Sequence, residues 1–120
     1  WNSVLGREAL VVYPSAAAEA ASWDGRSVIY ASDNVGGSTS HTIAYGIGGW
    51  VRIDTDVRLW KELDGTPLYN VALHEFGHVL GLDHSMPGTV MGYTLKLGQD
   101  RKPLPTDKIF LTWDDAIGAW

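Results

Sequence analysis

The alternation of apolar and polar positions is clearest at residues 50–54, WVRID, where Val51 and Ile53 alternate with Arg52 and Asp54. A period of two marks a half-buried strand, because successive side chains point to opposite faces. Short β-prone apolar runs predict three further strands, at 10–13 (LVVY), 27–31 (SVIYA) and 41–45 (HTIAY). Helical spacing takes over after Asp64-Gly65. Leu68, Val71, Ala72, Phe76, Val79 and Leu80 fall on one buried face. Thr66 serves as N-cap there, Pro67 takes the first helical position, and Gly81 can adopt the left-handed conformation that ends a helix. AAAEAA (16–21) predicts another helix by propensity, and Thr112 with Asp115 three residues on forms a capping box for a final one. The segments 33–40, 46–49 and 85–106 are rich in Gly, Ser, Pro or Thr and read as loops. Strands come first and the main helices later, an order that favours an α+β layout.

Composition narrows the possible roles. A chain of 120 residues, 45% hydrophobic and 19% charged, suits one globular domain spanning 1–120. A net charge of −5 argues against nucleic acid, and no apolar run reaches the roughly 20 residues of a membrane span. There is no cysteine, so disulfides and thiolate metal ligands are excluded. The chain begins at Trp1 without a signal peptide and stops inside an expected helix at Trp120, so trimming at both ends is expected.

Three of the four histidines stand within residues 74–84, HEFGHVLGLDH. His74 and His78, four residues apart, share one helix face, and the turn at Gly81 brings His84 back towards them. Three imidazoles leave a fourth coordination position for water, as in catalytic zinc sites. An all-nitrogen set suits zinc without excluding other divalent metals. Glu75, about 100° around the helix from His74, stands beside the metal, where a carboxylate can accept a proton from water and return it to a leaving amine. Burying these groups on an otherwise apolar helix without a ligand would cost several kcal/mol.

HEFGHVLGLDH matches HExxHxxGxxH, the signature of the metzincin metallopeptidases. Ser85 and the LGL core make it most similar to the matrixin, or matrix-metalloproteinase-like, branch. GIGGWVRIDTDVRLW (46–60) and LTWDDAIGAW (111–120) resemble further matrixin segments, so the likeness runs from about residue 41 to the end. It implies a twisted mixed sheet with an antiparallel edge strand at 41–45, a zinc-binding active-site helix and a C-terminal helix. It also implies a secreted, monomeric endopeptidase with one zinc ion, acting on an extended peptide or protein. Met91, in TVMGY, would supply the methionine turn beneath the metal. Val90, Tyr93 and Leu95 would wall the pocket for the residue after the scissile bond. In sister branches a tyrosine at the offset of Tyr93 reaches the metal or the oxyanion instead. Asp114 and Asp115 match an aspartate pair that braces the methionine turn and binds a freed N-terminus.

The sequence also departs from the family. Arg52 stands where a histidine ligand of a second, structural zinc is expected, and Tyr45 stands near another. Val57 and Trp50 replace acidic calcium ligands, leaving Asp54 and Asp56 as a weak candidate pair. Structural zinc is therefore not expected, and His41 reads as a loop or strand-edge residue. Two other readings stay open: a catalytically silent binding module that keeps the metal site, and a metal hydrolase acting on a non-peptide substrate.

Overall fold

A computed structural model describes residues 1–11, 26–35, 40–47, 51–92 and 108–118. The elements are α1 (Asn2–Leu5), β1 (Ile29–Ser32), β2 (Ser40–Ile47), β3 (Val51–Trp60), α2 (Gly65–Val79), a 3-10 turn (Val90–Gly92) and α3 (Trp113–Gly118). They form a small mixed α/β domain. β3 lies between the other two strands, parallel to β1 from Ile29↔Val57 to Ser32↔Trp60. β2 runs antiparallel to β3 from Ser40↔Leu59 to Ile47↔Val51, with a register irregularity between Tyr45 and Gly46.

β3 is twice the length its alternating segment predicts, because VRIDTDVRLW keeps its period through Leu59. The acidic stretch does not interrupt it. Thr55 and Asp56 are buried, but the Thr55 amide donates to Ser27 Oγ at 3.1 Å and Asp56 Oδ1 accepts the Val28 amide at 2.9 Å. Buried polar groups that find such partners cost little. Asp56, read from sequence as half of a weak calcium site, thus tethers the chain entering β1 to β3.

Val57 and Leu59 pack against Val71 of α2, with Leu63, Leu68 and Val79 around them. A second cluster joins Leu73 to Val90, Met91 and Ile109, flanked by Trp1, Leu82 and Leu111. α2 therefore buries one side on the sheet and the other on the 3-10 turn.

The ends of α2 follow from local chemistry. Its N-cap is Asp64, two residues earlier than Thr66, with extended backbone angles; the first helical hydrogen bond runs from the Leu68 amide to the Asp64 carbonyl at 3.1 Å. Pro67 remains within the first turn, where a missing N–H loses no helical bond. At the other end Gly81 has φ of 93°. The Leu82 amide reaches the Gly77 carbonyl and the Gly81 amide the His78 carbonyl, both at 2.9 Å, which is a Schellman closure.

The N-terminal segment differs from the sequence expectation. Of the run expected as a strand at 10–13, Leu10 and Val11 belong to no strand, and Val12 and Tyr13 lie outside the described residues. Asn2 explains this: its Oδ1 accepts the Ala9 and Leu10 amides, and its Nδ2 donates to the Leu10 carbonyl, so these backbone groups are satisfied without a ladder. The single turn of α1 is held by tertiary contact, with the Trp1 indole donating to the Leu73 carbonyl at 2.9 Å. The predicted helix at 16–21 lies outside the described residues.

Candidate metal centre

The last two turns of α2 and the closure at Gly81 bring His74, His78 and His84 onto one centre. Each offers a ring nitrogen, and these atoms lie within 4.8 Å of one another. Ring centroids are 4.9 Å apart for His74–His78 and His78–His84, and 5.2 Å for His74–His84. Among the described residues no other trio of His, Asp or Glu side chains converges in this way.

Two of the rings are oriented by the backbone. His74 Nδ1 meets the Val90 carbonyl and His78 Nδ1 the Leu82 carbonyl, both at 2.8 Å. A carbonyl only accepts, so each Nδ1 carries the proton and each Nε2 keeps its lone pair. Metal-ligating histidines are commonly held this way by their second nitrogen. Burial holds the His74 pKa below its ordinary value, with His78 and His84 adding to the effect while the Val90 carbonyl and Glu75 oppose it. A neutral imidazole can ligate and a protonated one cannot. A small, borderline-soft cation such as zinc fits this donor set.

The 3-10 turn that meets His74 is itself held by a chain of hydrogen bonds. Val90 and Met91 are buried, and their amides donate to Asp115 at 3.1 and 3.0 Å. Asp115 also accepts the amide and hydroxyl of Thr112, both at 2.8 Å, so the capping box of α3 and the 3-10 turn share one carboxylate. The Met91 carbonyl accepts the Ser85 amide at 3.1 Å, and Ser85 Oγ donates to Asp114 at 2.5 Å. The Met91 thioether presses on Gly77, where any Cβ would collide with it. A cavity of about 270 Å³ opens between Leu82, His84, Met91, Asp114 and Ile117.

Glu75 is buried, 5% exposed, and its Oε1 accepts the Ser40 hydroxyl at the start of β2. Neither Ser40 nor Gly77 is marked as a site residue by the sequence pattern. A serine at a loop-to-strand boundary carries no periodic signal, and Gly77 has a helical conformation that gives no warning of a close approach. Val90, expected in a pocket wall, packs its side chain into the second core cluster and turns its carbonyl to His74. Tyr93 and Leu95 lie outside the described residues.

The matrixin peptidase family model matches residues 21–118. The chain belongs to the matrixins. Macrophage metalloelastase of Oryctolagus cuniculus is 47% identical over 57 residues, covering 46% of this chain and 12% of that protein. Matrix metalloproteinase-25 of Homo sapiens is 41% identical over 70 residues, covering 52% of this chain and 12% of its own length. Interstitial collagenase of Oryctolagus cuniculus reaches 55% over 40 residues, covering 33% of this chain and 8% of that protein. The matched stretch is thus a small part of each relative. No solved structure gives a match. The family is one of metalloproteases, and the nitrogen cluster of this matrixin is compatible with the zinc that membership implies.

Proposed function

We propose that this chain is a single matrixin catalytic domain that hydrolyses internal peptide bonds of proteins with zinc. The observation that carries the reading is the convergence of His74, His78 and His84 beside the buried carboxylate of Glu75. The three imidazoles would hold the ion through ring nitrogens, two of them already oriented by the Val90 and Leu82 carbonyls. When bound, zinc would supply a Lewis acid that makes water far more acidic, so that hydroxide is available near neutral pH.

The remaining work falls to the protein. Glu75 takes a proton from the attacking water and delivers it to the nitrogen of the departing peptide, acting as base and then acid. β2 pairs with β3 along one side only among the described residues. An extended substrate can add to its other side by main-chain hydrogen bonds. Met91 gives the centre an apolar floor, and Asp115 keeps that floor and the Val90 carbonyl in register. Tyr93 and Leu95 belong to the proposed boundary of the substrate pocket, with Val90 packed in the core, and the protein acts as a secreted monomer.

Stripping the metal with a chelator and restoring it tests the reading. Hydrolysis of a denatured protein should stop on chelation and return with about one equivalent of zinc. Cleavage that persists without metal would contradict the proposal.

A further inference from the structure

We propose that Ser40 is a positioning residue for Glu75, tying the orientation of the general base to the strand that receives the substrate. The inference rests on the peptidase reading above and adds a residue to it.

Glu75 lies on the buried side of α2, and a carboxylate removed from water needs donors. The Ser40 hydroxyl provides one at Oε1. The serine hydroxyl is the donor and the carboxylate oxygen the acceptor. Ser40 is the first residue of β2 and is paired in register with Leu59 of β3. Its Cα is therefore fixed by the sheet ladder, and a single side-chain torsion aims the hydroxyl. Glutamate, by contrast, has three torsions, and anchoring one oxygen restricts the plane in which the carboxylate can lie. Positioning of this kind acts on the chemical step, because small displacements of a proton-transfer group cost rate more than binding. Among the described residues β2 pairs along one side only, so a peptide that adds to its other side would order the strand that also holds the base.

The test uses the zinc-loaded protein with Ser40→Ala and Ser40→Thr. The alanine variant should lose about tenfold in kcat, with KM changed less than about twofold, since it loses a hydrogen bond to a charged group. Zinc stoichiometry and Tm should stay near those of the unaltered protein. Threonine keeps the hydroxyl and suits a strand, so it should recover most of kcat. An activity-independent arm follows the ¹³C resonance of the Glu75 carboxyl, assigned with Glu75→Gln. That resonance should move in the alanine variant and stay in place in the threonine variant. An unchanged kcat, an unmoved resonance, or equal loss in both variants overturns the role of Ser40. An unaltered protein that binds zinc and cleaves nothing overturns the peptidase reading, and the catalytic role of Ser40 with it. In that case the resonance still reports whether the pairing exists.

Discussion

The Val90 amide donates to Asp115 Oδ2 at 3.1 Å while the Val90 carbonyl accepts His74 Nδ1 at 2.8 Å, so one peptide segment links a carboxylate on α3 to a metal-ligand candidate on α2. A charge 25 residues downstream of Val90 thereby helps to aim an imidazole. This linkage makes the support of the centre testable apart from its chemistry.

Asp115→Asn keeps the shape but has one accepting oxygen in place of two. At least one of the amides of Val90, Met91 and Thr112 then loses its partner, at a cost of about 1–3 kcal/mol. Urea unfolding should show that loss. Zinc affinity should fall by roughly tenfold, the lower range for disturbing the partner of a ligating histidine. Unchanged affinity would break the proposed linkage.

The pH dependence of stability has a definite sign. Burial raises the Asp115 pKa, but hydrogen bonds from the Thr112 amide, the Met91 amide, the Thr112 hydroxyl and the Val90 amide outweigh it and hold the group below the usual carboxylate range. Its folded value lies below its unfolded value of about 3.9. The contribution is therefore fully present above that unfolded value and is lost as pH falls through the folded one. The stability gap between the unaltered protein and Asp115→Asn should be flat from neutrality to about pH 5 and narrow below about pH 4. A gap that widened on acidification would contradict this.

Gly77→Ala should destabilise the protein by about 1–3 kcal/mol, since the added methyl meets the Met91 thioether inside the second core cluster. Met91→Ala removes that obstacle. In a double-mutant cycle the pair should cost less than the sum of the two single changes. Strict additivity would show that the two residues do not press on each other.

Gly81→Ala places a Cβ on a residue with φ of 93°. The strain should cost about 1 kcal/mol or more, and the turn that returns His84 should loosen with it. Isothermal titration should show weaker zinc binding, whereas an alanine at exposed Glu62 should leave it unchanged.

What the sequence made legible follows from how local each cause is. The apolar period of α2, the closure at Gly81 and the Thr112–Asp115 box are set by residues within a few positions of one another, and they could be read directly. The meeting of His74, His78 and His84 was legible because a helix and one turn suffice to bring them together. The alternating segment understates β3 because its polar residues are satisfied by Ser27 and Val28, distant in sequence. At Leu10 the apolar run LVVY misleads, because the Asn2 side chain captures the Leu10 backbone. The Ser40–Glu75 pairing spans 35 residues and leaves no spacing signal.

The proposed activity depends on three imidazoles that hold a zinc ion beside a glutamate that moves the proton. Glu75→Ala in the full protein tests it most directly, with zinc content and cleavage of a denatured protein measured on the same preparation. Zinc should stay at the level of the unaltered protein, and cleavage should fall by at least about a hundredfold. Retained cleavage at normal zinc content would contradict it.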